Sequence, residues 1–271
     1  MIISDIPPPR GPGRIMTRRW SLITTIAVLA VALAFVIAQL VRGQESGESG
    51  EQQASKDTSA SKGTSAESLR GVGWWPLHRS GTAKAGEHDA VVSGDVEWTD
   101  DGPEGGALRL DGSGYVDAGS PVDTTGADYS VAARVRLTST EGFHTAVSQD
   151  GYGISTFFLQ YSGQDENFAF SFPGARTVAE KAERPQADRW YHLTGTYSHK
   201  DHRMRVYVDG RLAGSREASS KETPTGDVVI GRGKLGGKAA DHWNGDISDV
   251  HVYDRELTPG EVDSLSAREP D

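Results

Sequence analysis

The sequence predicts an all-β fold, an antiparallel sandwich or jelly roll, and three observations carry that prediction. From residue 72 onward, short apolar runs alternate with Gly, Asp, Ser and Pro, the punctuation of many short strands joined by turns. Ser130–Leu137 alternates with period two, so Val131, Ala133, Val135 and Leu137 would face a core while Ser130, Ala132, Arg134 and Arg136 face away. Trp190–Tyr197, Met204–Val208 and Arg211–Ser215 read as three strands of a meander. Asp209-Gly210 joins the last two, since a type I′ hairpin turn needs positive φ at both central residues.

In chain order the candidate strands are Trp74–Leu77, Ala90–Val92, Ala107–Leu110, Tyr115–Ala118, Ser130–Leu137, Ala146–Gln149, Phe157–Tyr161, Phe168–Phe172, the three of the meander, Val228–Ile230 and Ile247–Tyr253. The meander carries apolar groups on both faces, Val206 and Val208 on one and Tyr207 on the other. That pattern predicts a core beneath it and a second covering above. One helix is expected at Thr258–Leu265, with Thr258 as N-cap, Pro259 in the first turn and Glu261 closing a capping box. No internal repeat interrupts residues 71–268, which read as one domain.

The N-terminal part is of another kind. Residues 1–19 are Pro-rich and basic, a predicted cytoplasmic tail. Trp20–Val41 is an uncharged stretch that, as a helix, would span about 33 Å, enough for a hydrocarbon core of about 30 Å. Four Arg precede it and Glu45, Glu48 and Glu51 follow it, so the positive-inside bias puts residues beyond 41 outside the cell. A cleaved signal peptide is the competing reading, with Val36-Ile37-Ala38 as the cut and a secreted product. The apolar run passes Ala38 without Gly or Pro, which favours the uncleaved single-pass anchor in the cell membrane. Residues 42–70 have one Leu and no aromatic, too little apolar surface to offset ordering entropy, and read as a disordered linker.

Composition excludes several classes. The 271 residues contain no Cys, which removes disulfides and thiolate metal sites. Residues 1–42 carry five Arg and one Asp, so against a total of −10 the remainder carries −14. An acidic body of this kind repels phosphate backbones, and nucleic acid is not expected as a partner.

Six motifs in fixed order carry a family resemblance. They are Trp74-Trp75-Pro76-Leu77, the Gly105–Gly119 run, Tyr129–Ala133, Arg189–Tyr197 with Tyr207–Gly210, Val229–Arg232 and Trp243–Leu257. In these the chain resembles the LamG-like jelly roll of the concanavalin A-like lectin/glucanase superfamily, in its bacterial membrane-anchored form. The resemblance covers about residues 71–268 and implies a concanavalin A-like antiparallel jelly roll. It also implies a structural calcium, held by an early Asp-bearing loop and by a carboxylate pair after the Ile of the last strand. Here the early loop, residues 77–89, is short and basic, and the late pair reads Ser248-Asp249. With one carboxylate missing, a lost or weakened site is expected, and no other cofactor. Asp89, Asp246 and Asp249 with backbone carbonyls are the residual candidates for the six to eight oxygens that calcium takes.

No catalytic constellation is legible. The Glu-x-Asp-x-Glu strand that the resemblance associates with glucanases is absent, and so are Gly-x-Ser-x-Gly and His-Glu-x-x-His. Asp246 and Asp249, three apart on a strand, are expected on opposite faces. His199 and His202 read as a solvated hairpin tip, and His192, facing with Trp190 and Thr194, as a structural histidine. Arg134 stands where the resemblance places a Trp, marking either an altered sheet surface or a solvated face. For binding, the candidates are the aromatics Tyr152, Tyr161 and Trp243 with the neighbouring Gln149 and Asp150, since sugar rings stack on aromatic faces while amides and carboxylates take their hydroxyls. Each aromatic has the alternative of packing a loop onto the sandwich, favoured for Trp243. The expected function is non-catalytic recognition of envelope or extracellular carbohydrate. The alternative is protein–protein adhesion or scaffolding with a cell-surface protein, and a glycoside hydrolase is less favoured.

Overall fold

The computed structural model describes Leu69 and residues 71–268, apart from residues 104, 120 and 121. The tail, the membrane span at 20–41 and nearly all of the linker lie outside the described residues. The described chain forms β1 (Gly73–Trp75), β2 (Val91–Ser93), β3 (Val96–Thr99), β4 (Ala107–Asp111), β5 (Tyr115–Gly119), β6 (Tyr129–Leu137), β7 (Phe143–Gly151), β8 (Ser155–Ser162) and β9 (Asn167–Phe172). It continues with β10 (Ala175–Val178), β11 (Trp190–Ser198), β12 (Arg203–Val208), β13 (Arg211–Glu217), β14 (Pro224–Ile230), β15 (Gly233–Leu235), β16 (Lys238–Ala240), β17 (Asn244–Tyr253) and helix α1 (Pro259–Ser266).

Two antiparallel sheets form a sandwich. One has eight strands in the order β13-β12-β11-β6-β17-β4-β3, with β1 also paired to β17. The other has seven, in the order β10-β9-β8-β7-β14-β5-β2, and β15-β16 make a separate hairpin. The inner faces meet in a core that includes Trp75, Val131, Ala133, Val135, Phe157, Phe170, Ile247 and Val250, as the alternation of β6 predicts. Gly195 lies on the inner face of β11, where a Cβ would come within 2.5 Å of the Phe170 ring, so only glycine fits. Every expected strand exists, several with longer ends. The pairs β3–β4, β9–β10 and β15–β16 contain strands that the apolar pattern did not reveal, because β3, β10, β15 and β16 are short, edge-lying and half-polar.

The second covering is α1. Val262 and Leu265 on the helix and Leu257 before it pack with Ala132, Tyr207, Tyr253 and Leu69 in a separate buried cluster on the outer face of the eight-stranded sheet. Thr258 caps the helix as expected: its side chain accepts from the Glu261 amide, and the Glu261 side chain accepts from the Thr258 amide. Arg134 is neither a bare sheet surface nor solvated. Its Nη2 donates to the carbonyls of Ser266 and Arg268, 3.1 and 2.9 Å away, and so satisfies the open C-terminal end of the helix.

The rest of this outer face is polar and tightly paired. Cross-strand register sets Trp190, Arg136, Asp246, Arg109 and Glu97 side by side on five neighbouring strands. Asp246 accepts from Arg109 Nε at 2.9 Å and from Arg136 Nε at 2.8 Å, while Arg136 also reaches Asp101 and lies 4.9 Å from the Trp190 ring centroid. A register shift between Ser248 and His251, with Asp249 at φ 49°, changes the alternation of β17. The bulge brings Asp249 to the same side as His251, which corrects the expectation that Asp246 and Asp249 lie on opposite faces. Asp249 Oδ1 accepts from Trp74 Nε1 and contacts His251 Nε2, both at 2.8 Å. Burial alone would raise its carboxyl, but His251 and Trp74 hold it well below the usual carboxylate range. His192, buried nearby, is pushed down to about 3 by burial and then by Arg134.

Two outcomes are expected. Replacing Thr258→Ala should cost about 1 kcal/mol through the lost cap, read as a melting temperature about 2–4 °C lower for a domain of this size. The pH dependence follows from His192: the unfolded chain binds a proton near pH 6.5 that the folded domain refuses until about pH 3. Stability is therefore full above pH 6.5 and falls as pH drops toward 3, by up to about 1.4 kcal/mol per pH unit. Asp249, held low, adds loss in the same direction in stronger acid. Urea melts from neutral to acid pH check this, and His192→Phe should show the shallower slope; equal slopes in the two proteins would contradict it.

Candidate ligand groove on the seven-stranded sheet

The outer face of the seven-stranded sheet carries a groove of about 290 Å³. Its floor comes from β8 and β9, where Phe158 and Gln160 alternate outward and Gln160 Nε2 donates to Ser171 Oγ at 2.9 Å. The hairpin β15–β16 lies over one side. Gly233 makes that approach possible, since a Cβ there would stand 2.7 Å from the Phe158 ring. Ile154 pairs with Leu235 across this wall, and the Gly237 amide donates to the Gly153 carbonyl at 2.8 Å. Phe143 and Arg176 form the far end, the guanidinium 5.1 Å from the ring centroid, with Arg176 Nη1 anchored on Asp165 at 2.9 Å.

Asp241 completes the lining. Its backbone is in the left-handed region at φ 52° and its carbonyl accepts from the Thr145 amide. Burial pushes its carboxyl up, against the pull of His144 and Arg176. Among the described residues no donor bonds to that carboxylate. The groove therefore combines apolar walls (Phe143, Ile154, Phe158, Leu235) with acceptors and donors from Asp241, Gln160 and Arg176. That is the chemistry of a site for a ligand with apolar faces and hydroxyl edges.

The residues nominated from the sequence fall in different places. Tyr152 is 89% exposed, on the β7–β8 turn two residues before the groove-lining Ile154. Tyr161 is only 2% exposed, with its ring in the core against Phe168, and Trp243 is fully buried beside His144. Neither ring presents a face to solvent, because both sit on inward positions of the sandwich. Gln149 is also fully buried, and its side-chain amide exchanges two hydrogen bonds with the Val122 backbone. Asp150 is held by Arg232 at 2.6 and 3.1 Å and by Lys234 at 3.4 Å, and so fixes the start of the hairpin rather than facing the groove. The lining residues Phe143, Phe158, Gln160, Arg176, Leu235 and Asp241 were not nominated. Two signals pointed at them: the Phe157-Phe158 pair, which puts one aromatic out of phase with the core, and Leu235-Gly236-Gly237-Lys238, a Gly-Gly hairpin turn.

The three calcium candidates do not converge. Asp246 spends both oxygens on Arg109 and Arg136. Asp249 is bound to Trp74 and His251. Asp89, exposed in the loop after β1, accepts from the Ala83 amide at 2.9 Å. Among the described residues no three His, Asp or Glu side chains gather as a metal site. As a calcium donor set the three do not fit, since Asp246 is engaged by two guanidiniums, Asp249 by Trp74 and His251, and Asp89 lies apart in an exposed loop.

Comparison with known proteins agrees with this architecture. Domain 4 of AbnA, a GH43 extracellular arabinanase from Geobacillus stearothermophilus solved with arabinotriose, superposes with a TM-score of 0.59 at 16% identity, covering 72% of this chain and 97% of that one. The binding domain of botulinum neurotoxin serotype G gives 0.54 at 16% identity, over 72% of this chain and 50% of that one. Trypanosoma rangeli sialidase gives 0.51 at 17%, over 72% and 32%. At such identities these likenesses concern the fold, which serves hydrolases and non-catalytic binding domains alike. Neuronal pentraxin-1 of Homo sapiens is 33% identical over 85 residues, 29% of this chain and 20% of its own length, and the Rattus norvegicus protein is 32% identical over the same span. The chain thus spans about a fifth of the curated relatives it matches. The family profile of the concanavalin A-like lectin/glucanases superfamily, laminin G type, matches residues 110–263, more than half of the chain. With the two-sheet sandwich, this match makes the chain a LamG-like member of the concanavalin A-like lectin/glucanase superfamily.

Proposed function

We propose that this protein is a non-catalytic carbohydrate-recognition module, tethered to the cell membrane through residues 20–41 and displayed outside the cell, or secreted if it is cleaved near Ala38. The observation that carries the reading is Asp241, a half-buried carboxylate without a protein donor, set in an apolar groove beside Gln160 and Arg176. A sugar ring would lay its C–H face on Phe158 and Leu235 and give its hydroxyl hydrogens to Asp241. Binding without catalysis is supported by the lining itself. Glycoside hydrolysis uses two carboxyls about 5–9.5 Å apart, and Asp241 is the one carboxylate among the groove's lining residues.

A specific observation favours adhesion to a cell-surface protein as the second reading. Strand β2 lies at the edge of its sheet with Val91 65% and Val92 41% exposed, and an apolar edge of this kind offers an unpaired ladder to another chain. A glycan array with the full-length chain separates the two. Reproducible binding that weakens at least tenfold, about 1.4 kcal/mol, in Asp241→Asn and in Leu235→Ser, and less in Tyr152→Ala, supports the first reading. A blank array together with capture of a membrane protein, lost in Val91→Lys, supports the second. Release of reducing sugar from a bound glycan would overturn both.

We also propose that the fold needs no calcium, with Arg109, Arg136 and His251 standing where a cation would. The melting temperature should be the same in millimolar calcium and in chelator. A substantial rise with calcium that chelator reverses would show that the ion stabilises the native state by binding it.

A further inference from the structure

At the edge of the sandwich, where the β10–β11 connection meets the β12–β13 hairpin, we propose a second binding site, one for a sugar acid: a ligand with a single carboxylate, several hydroxyls and an apolar face. A groove of about 450 Å³ runs there, with Lys181, Glu183, Arg189, Asp209, Arg211 and Leu212 among its lining residues. That volume falls within the range of small-ligand pockets. Its walls are fixed in place. The Lys181 amide donates to the Ala213 carbonyl at 3.0 Å, which ties the connection to edge strand β13, and the Gln186 amide donates to the Tyr191 hydroxyl at 2.9 Å. The Arg189 guanidinium lies 5.0 Å from the centroid of the Tyr191 ring, another lining residue, and is thereby held at the groove.

The charges show what this groove would take. Most arginines of the domain are paired with a carboxylate, as Arg109 and Arg136 are with Asp246, Arg176 with Asp165, Arg205 with Glu256 and Arg232 with Asp150. Lys181, Arg189 and Arg211 are exposed and, among the described residues, none of their side chains meets a carboxylate or makes a hydrogen bond. An exposed cation needs no partner of its own, but three unpaired ones around one concavity add their fields. In a chain whose part beyond residue 42 carries −14, they make a local seat for an anion. A guanidinium fork matches a carboxylate through two parallel hydrogen bonds. Two acids also line the groove, Glu183 and Asp209, so the lining comes to +1, three cations less two anions. That balance suits a single negative charge and opposes a phosphate dianion. Asp209 spends Oδ1 on the His192 amide at 2.8 Å, while its Oδ2 and the Glu183 carboxylate bond to nothing among the described residues. Those oxygens would accept from ligand hydroxyls, and Leu212, 41% exposed, would meet a C–H face. The site lies apart from Asp241: the two grooves share no lining residue.

The test is NMR of the isotope-labelled full-length chain, following the Arg189 side-chain Nε–H and the Leu212 methyl signals. The probes are glucuronate, galacturonate, glucose and inorganic phosphate, and then an oligosaccharide of whichever acid responds. Saturable movement with a sugar acid is expected, with at least tenfold weaker binding of glucose and of phosphate. The affinity read at Leu212 should fall at least tenfold in Arg189→Gln and in Arg211→Gln. It should also fall as salt is raised from about 0.01 to about 1 M, where the screening length shrinks from about 30 to about 3 Å. Both substituted side chains are exposed, so an unchanged melting temperature is expected of each variant. Response to the oligosaccharide as well as the free acid identifies an acidic polysaccharide as the source; response to the free acid alone identifies a monosaccharide. Signals that no sugar acid moves, that phosphate moves as strongly, or that move equally in both variants overturn the proposal. Asp241→Asn should leave this titration unchanged, which keeps its outcome separate from that of the first groove.

Discussion

Because β17 is paired along both edges and covered on both faces, every other part of the domain is positioned by it. Its inward residues Ile247, Val250 and Val252 belong to the core between the sheets. Its outward residues each meet a different partner: Asp246 meets two guanidiniums, His251 stacks on Trp74, and Tyr253 donates to the Leu69 carbonyl under α1. A charged side chain on a strand with no solvent face is costly unless it is paired, and Asp246 and Asp249 each have partners. That requirement explains the run of charged side chains across five strands and the helix that closes beside it.

The same requirement separates the two faces of the sandwich chemically. The eight-stranded sheet is covered by α1 and by ion pairs, so its polar groups are largely consumed internally. The seven-stranded sheet is covered only by the small β15–β16 hairpin, fastened by Asp150 to Arg232 and Lys234 and by the Ser155 hydroxyl to the Lys234 amide. This light cover leaves a groove instead of a second core. Glycines at Gly233 and at the Gly236-Gly237 turn let the hairpin lie close to the sheet without filling the space. Carboxylates show the contrast best. Asp246 and Asp150 are bonded to cationic partners and serve structure, whereas among the described residues no donor bonds to the Asp241 carboxylate in the groove lining.

Much of this was readable before any coordinates. Period-two alternation in Ser130–Leu137, the Asp209-Gly210 turn, the capping box at Thr258 and Glu261, and the apolar groups on both faces of Val206–Val208 are local signals, set by backbone sterics and side-chain spacing within a few residues. They determine strands, turns, the helix and even the presence of a second covering. The binding residues were another matter. Tyr161, Trp243 and Gln149 have the right chemistry for a sugar site, but that chemistry is equally suited to a core position. Which role each plays depends on strand phase and on what packs opposite. The bulge at Asp249 reset that phase for the last strand, and no pattern within Ile247-Ser248-Asp249-Val250 announces it.

What the sequence by itself determined, then, is the all-β class, most of the strands and the family, because these rest on short-range periodicity and on motifs in fixed succession. What only the tertiary structure decided is which polar groups are spent and which remain open. Arg134 became a helix cap, Asp246 became the centre of an ion-paired row, and Asp241 was left without a bonded donor. The physical reason is that a polar side chain's role is set by its partners, and here those partners come from strands more than a hundred residues apart, brought together only when the two sheets close.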